Sequence, residues 1–323
     1  MQYVSRRAWM AILAALFSSV ALSAQADDET PLRIIVPTPP GGTNDGVARA
    51  LQVPLQKLLK RTVLVEYKAG AASSMGSAFV ARSKPDGNTL LLNNNAVSIN
   101  PLVSRSAGYE MSSLTPLVVA AISPMVLIVN SEVPAKDVKG FIEYARKQAQ
   151  PLPYASSGGV GSLGHLAMES FARSAGIKLL HVPYAGGGPA QMAVSSGEVK
   201  LVMTSLNAAL NGQVAAGRIR LLGVASEKPT PLVPGVPPIS DGLPGFVLDA
   251  WVGLLAPAQT PAAELDKSNQ ALMQALAMQE TRDMLASFGA EPVAIGPVPF
   301  AAMIERDTGR WGEVVRDQKI AKE

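Results

Sequence analysis

Residues 34–51 read IIVPTPPGGTNDGVARAL. The apolar run Ile34, Ile35 and Val36 predicts a short buried strand. A Pro/Gly loop follows from Pro37 to Gly42, and an amphipathic helical pattern begins near Asp45. A strand that feeds a helix through a tight loop leaves several backbone N–H groups unpaired at the helix start, where the macrodipole adds partial positive charge. Such a loop favours a small anion, such as a carboxylate, without needing lysine or arginine. Gly41 and Gly42 leave the backbone open to close approach. Thr43, Asn44 and Asp45 are candidate N-caps. A single turn of this kind is also the ordinary connection of an α/β sheet, so its recurrence decides the reading.

It recurs twice. Residues 154–171, YASSGGVGSLGHLAMESF, repeat the order strand, Ser/Gly loop, helix. Residues 180–194, LHVPYAGGGPAQMAV, do so again, with Pro189 where a first helical residue would stand. Three such cradles point to a ligand gripped from several sides by backbone. Strands are further predicted at 62–67, 89–93, 114–123, 125–130, 199–205, 219–226, 247–256 and 290–295. Helices are predicted at 136–148, 208–216, 260–278 and 298–318. Pro54 should kink or divide the first helix. Thr260 should cap the 260–278 helix, with Pro261 at its first position. Residues 227–245, rich in Pro and Gly, read as a surface connection. Strands alternating with helices predict an α/β fold with mostly parallel sheets, whose ligands bind at the C-terminal ends of strands.

The N-terminus reads as an export signal. Arg6 and Arg7 precede an apolar run, and Ala24, Gln25 and Ala26 form a small-x-small cleavage site. Cleavage after Ala26 removes two arginines and no acid, lowering the formal charge from +3 to +1. No basic run with interleaved aromatics remains, so no nucleic acid partner is expected. The 323 residues contain no cysteine, which excludes thiolate catalysis and cysteine metal sites. His165 and His181 are the only histidines, too few for a metal cluster.

Catalytic patterns are sparse. Gly159, Gly161 and Gly164 match G-x-G-x-x-G, but residues 178–184, where a dinucleotide site needs a carboxylate, have none. Ser162 lacks the glycine at 160 that a nucleophile elbow requires. His165 reads as packing on the sheet and His181 as a core histidine. Asp249 and Trp251 read as structural. No cofactor and no metal are expected.

Six motifs, VPTPPGGTND (36–45), KPDGNTLLL (84–92), INP (99–101), YASSG (154–158), HVPY (181–184) and WVGLLAP (251–257), occur in this order. In them the chain resembles, over about residues 32–318, the periplasmic receptors of tripartite tricarboxylate transporters, the Bug-type receptors. The resemblance implies a type II periplasmic binding fold, a two-lobe Venus flytrap with hinge-crossing strands. Lobe 1 would be 27–124 plus 251–323 and lobe 2 would be 125–250, with Pro124 and residues 249–252 at the hinge. It implies a non-enzymatic, monomeric periplasmic protein. Such a protein binds a small organic carboxylate and hands it to membrane permease subunits. A sensor docking on a signalling protein, or a secreted hydrolase using Ser162 or Ser157, are the alternatives.

By the resemblance, Gly41, Gly42 and Thr43 would hold a carboxylate, with Asp45 tying down their loop. Asn94, Asn95, Ser156, Ser157, Gly158, Tyr184 and Gly186 would face it. The chain departs from the family at Ala185, where Lys or Arg is usual, and at Thr204, where Asp is frequent. Residues 67–70, YKAG, replace the usual NRPG. Thr204 in place of an acid disfavours a ligand carrying an amine.

Overall fold

In the computed structural model, residues 30–320 are described except Ala185, Asn207 and Asp249. The expected signal segment and the reading of Asp249 lie outside the described residues. The deciding stretch forms β1 (Leu32–Val36) and α1 (Thr43–Leu59). Leu32, Ile34 and Val36 pack against Val47, Leu51 and Leu55 of α1. Ile35 faces the other way, toward Val97 and Trp251. A strand covered on both faces needs continuous apolar sequence rather than alternation, which is why IIV is unbroken.

The chain continues through β2 (Val63–Tyr67), α2 (Ser74–Ala81), β3 (Thr89–Asn94), α3 (Ala96–Val103) and β4 (Leu114–Ile122). These strands, with β10 (Trp251–Pro257) and β11 (Glu291–Ile295), form a six-stranded sheet of order β11-β4-β10-β3-β1-β2. The segment between β4 and β10 builds a second sheet. Its elements are β5 (Met125–Asn130), α4 (Val138–Arg146), β6 (Leu152–Ser157), α5 (Leu163–Ala175) and β7 (Leu179–Tyr184). They continue with α6 (Gly187–Ser196), β8 (Leu201–Ser205), α7 (Ala208–Ala215) and β9 (Ile219–Val224). That sheet has five strands in the order β7-β6-β8-β5-β9.

Both sheets are mixed, but the expected parallel majority is absent. Among the described residues, four strand pairings are parallel and five antiparallel. The reason is the crossing. β5 and β10 each enter a sheet from the other unit, so each runs against both of its neighbours. The crossings touch, because the Ser123 N–H donates to the Ala250 carbonyl at 2.6 Å. The crossing also shortens the strand predicted over 247–256. Leu248 still bonds Ala225 and packs in the core of the second sheet, and only from Trp251 does the chain join the first.

The chain closes with α8 (Ala262–Ala277), α9 (Gln279–Ser287) and α10 (Pro297–Asp317). α10 serves both units. Phe300, Met303 and Ile304 pack beside the first sheet, whereas Trp311 and Val314 join the core that contains Phe171 and Leu166. Arg173 of α5 pairs with Asp317.

Local expectations needed correction at four places. Pro54 does not divide α1, which runs through it with the ring buried. Helix α3 was unforeseen, because Asn100 and Pro101 obscure its pattern. Thr260 is not the cap of α8: its hydroxyl donates back to the Pro257 carbonyl at 2.8 Å, and Pro261 takes the cap position. Residues 227–245 are more than a surface connection, since Ile239 is fully buried against Gly223.

Candidate functional site

α1 and α6 both begin at a glycine N-cap, Gly42 and Gly186, and neither has a side-chain cap. Their first-turn N–H groups are therefore left for water or a ligand. The two helices belong to different sheets, yet their N-termini open on one cleft of about 580 Å³. Gly41, Gly42 and Thr43 line it from the first unit, with Ser287 and Phe288 at the end of α9. Ser157, Gly187, Gly188, Thr204, Ser205 and Leu206 line it from the second. None of these side chains is charged. The cleft presents amide and hydroxyl donors at the positive ends of two helix dipoles, an arrangement suited to anionic oxygen.

Asp45 stands behind the first loop and holds its shape. Its Oδ2 accepts the Gly41 N–H at 2.8 Å, while Oδ1 accepts from Arg49 at 2.8 Å and from the Tyr67 hydroxyl at 2.5 Å. Burial alone would raise the Asp45 pKa. The bonds from Tyr67, Gly41 and Arg49 outweigh it and keep the carboxyl below its usual range. Gly41 itself has φ +91, which only glycine adopts freely.

A second cavity of about 440 Å³ lies beside the first. Gly158 and Val160 meet Ala71, Ala72, Ser74, Asn100 and Val103 across it. Ala71, Ala72 and Ser73 all have left-handed backbones, with φ of 46°, 50° and 78°. Each such residue costs about 1–2 kcal/mol. The Asn100 side chain steadies the run by donating to the Ala72 carbonyl at 2.7 Å.

Of the residues expected at the site, Gly41, Gly42, Thr43, Ser157 and Thr204 meet in the cleft, Gly186 caps the helix beside it, and Gly158 borders the second cavity. Asn94, Asn95, Ser156 and Tyr184 do not line it. The Asn94 side chain accepts the Ala96 N–H at 3.0 Å. Asn95 is fully buried, donating to Asp307 and accepting the Trp251 N–H. Ser156 is buried on His181 Nε2 at 2.7 Å. The Tyr184 hydroxyl is turned to Glu198. Sequence reading missed Phe288. Its ring fills the space that a side chain on Gly46 would take, a contact with no local signal.

Ser162 is a helix cap. Its hydroxyl accepts the His165 backbone N–H and donates to the Gly159 carbonyl. Below it His165 and His181 stack at 3.9 Å, and His165 Nδ1 accepts the Gly161 N–H at 2.9 Å. Burial first, then the neighbouring His181, lowers the His165 pKa to about 4. The folded protein thus refuses a proton that the unfolded chain takes up near pH 6.5. Stability should therefore fall by about 3 kcal/mol between about pH 6.5 and about pH 4. Urea unfolding at several pH values checks this. Most of the fall should vanish in His165→Gln, and an unchanged slope would refute the assignment.

Two sheets joined by crossing strands, with a cleft between them rich in backbone donors, define a periplasmic binding fold. The profile described as "Tripartite tricarboxylate transporter family receptor" matches residues 47–320. The chain belongs to that family. Solved structures agree. The periplasmic binding protein BugD is 30% identical with a TM-score of 0.75, covering 91% of this chain and 99% of its own. Rpa4515 of R. palustris, solved with adipate, is 29% identical with a TM-score of 0.78, covering 92% and 100%. MatC of Rhodopseudomonas palustris, solved with bound malate, is 28% identical with a TM-score of 0.74, covering 88% and 98%.

Proposed function

We propose that this protein is an exported, non-catalytic receptor that captures a small organic carboxylate between two lobes. It then passes the ligand to the membrane permease of a tripartite transporter. The lobes are residues 27–124 with 251–323, and 125–250; residues 1–26 are the removed signal. α10 belongs to the first lobe by sequence but reaches into the core of the second, so it must follow any closure. One observation carries the reading: two uncapped helix N-termini, one from each unit, open on a cleft with no charged side chain among its described lining residues. The malate and adipate held by the two relatives from R. palustris support a carboxylate ligand. Thr204, in place of an acid, favours a plain acid over an amino acid, because an ammonium would lose its charge partner there.

Thermal unfolding of refolded, ligand-free protein tests the reading against di-, tri- and aromatic carboxylates and amino acids. A ligand at 100 times its Kd should add about 2.7 kcal/mol. A shift with carboxylates supports the receptor reading, and a shift with amino acids alone refutes the preference for plain acids. Loss of ligand uptake on gene deletion tests the transport role.

A further inference from the structure

Gln191 is a buried polar side chain whose amide nitrogen has no hydrogen-bond partner among the described residues. It stands one turn into α6, at i+4 from Gly187, so the two share a face and its side chain leans back toward the helix start. The residue is 3% exposed, and its Nε2 finds no acceptor among the described residues. That nitrogen lies 3.9 Å from where a Cβ on Gly187 would be, and the Thr204 hydroxyl lies 3.8 Å from the same point. Gly187 and Thr204 both line the cleft. Pro189, in the first turn of α6, has no N–H to offer. The backbone donors at this helix end are thereby reduced to Gly187 and Gly188, and the Gln191 amide stands where a further donor is wanted. A buried donor left unpaired in the protein destabilises it, which is consistent with a group kept for an incoming acceptor.

We infer that Gln191 is a specificity-determining residue: with Thr204 and the start of α6 it binds a second carboxylate, at the opposite side of the cleft from Gly41–Thr43. The inference rests on the reading of the cleft as a carboxylate site and narrows its ligand to a linear dicarboxylic acid that spans the two lobes. Gln191 acts by donating from Nε2 to the far carboxylate, and it leaves the near carboxylate untouched.

The test is calorimetric titration of straight-chain dicarboxylic acids of four to eight carbons, each paired with the monocarboxylic acid of equal length. In the wild type at least one dicarboxylate should bind tenfold or more tightly than its partner. Gln191→Met, similar in length and a good helix former, should weaken the dicarboxylate about ten- to a hundredfold and leave the monocarboxylate within about twofold. Ligand-free Gln191→Met should melt no lower than wild type. Gln191→Glu, the same shape with a negative charge, should weaken the dicarboxylate further and provides the answer should the Met variant fold poorly. Equal binding of the two acid series, or equal weakening of both by the Met or Glu variant, overturns the role of Gln191 while leaving a carboxylate receptor intact. Failure of every acid in both series to bind wild type overturns the dicarboxylate inference, and the receptor reading falls with it only when the tri- and aromatic carboxylates of the thermal panel fail as well.

Discussion

Gly42→Asp should all but abolish carboxylate binding while raising the melting temperature of the ligand-free protein. Gly42 is the N-cap of α1, with extended backbone at φ −93° and ψ 179°, and has no side chain to cap the helix. No atom lies within 4 Å of a Cβ added there, so any residue fits. Aspartate is among the best N-caps and also favours the helix dipole. Restricting the unfolded chain adds to both effects, and the sum is about 1 kcal/mol of stabilisation. The same carboxylate takes up the first-turn N–H groups that would hold the ligand. At about 4 Å from an incoming anion, and an effective dielectric near 20, repulsion is about 4 kcal/mol, close to a thousandfold in Kd. Gly42→Ala is the control and should bind within about tenfold of wild type. Calorimetry and thermal melts on the three proteins decide the matter. An aspartate variant that binds like wild type would show that this loop does not contact the ligand.

The largest loss of stability is expected at Asp307. This carboxyl in α10 is 3% exposed, and its Oδ2 accepts from both the Trp251 indole and the Asn95 amide at 2.8 Å. Asn95 Oδ1 in turn accepts the Trp251 backbone N–H at 3.1 Å, and Trp251 packs edge-on against Phe300. One side chain thus joins the end of β3, the start of the crossing strand β10, and the helix that spans both units. Asp307→Ala strands two buried donors at once and should cost about 4 kcal/mol. Asp307→Asn keeps an oxygen able to accept both donors and should stay within about 1 kcal/mol of wild type. Burial raises the Asp307 pKa, outweighing the hydrogen bonds from Trp251 and Asn95 that lower it. The folded state therefore holds a proton after the unfolded chain has released it. This contribution is greatest in acid and is lost as pH rises from the usual carboxylate value through the raised one. The asparagine variant lacks that decline. The wild-type-minus-variant difference in urea stability should therefore shrink as the pH rises through this window. A flat difference would show that the carboxyl titrates normally.

Much of the site was legible because it is made of backbone. A strand, a Gly-rich loop and a helix start are local, and their unpaired N–H groups follow from helix geometry alone. Gly41, Gly42 and Thr43 could therefore be placed at a strand end before any contact was known, whereas Ser157 and Thr204 entered only through the family resemblance. Four expected residues stand away from the cleft. Asn94, Asn95, Ser156 and Tyr184 carry polar groups of the right kind in the right segments. Asn95 and Ser156 are turned by distant partners, Asp307 lying 212 residues from Asn95 and His181 25 from Ser156, whereas Asn94 folds back on the nearby Ala96 N–H. Phe288 and Gln191 escaped notice for the same reason. An aromatic after a helix and a glutamine inside one become informative only when Gly46 and Thr204 stand beside them.

By itself the sequence determined the order of elements, the apolar faces that bury them, and three loops with backbone open to an anion. These depend on residue type and spacing over a turn or two of chain. Only the tertiary structure decided that β5 and β10 run against their neighbours, that α10 serves both units, and that two of the loops face each other across one cleft. Those outcomes are set by where the chain crosses between sheets, and the energy that holds a crossing comes from residues far apart in sequence.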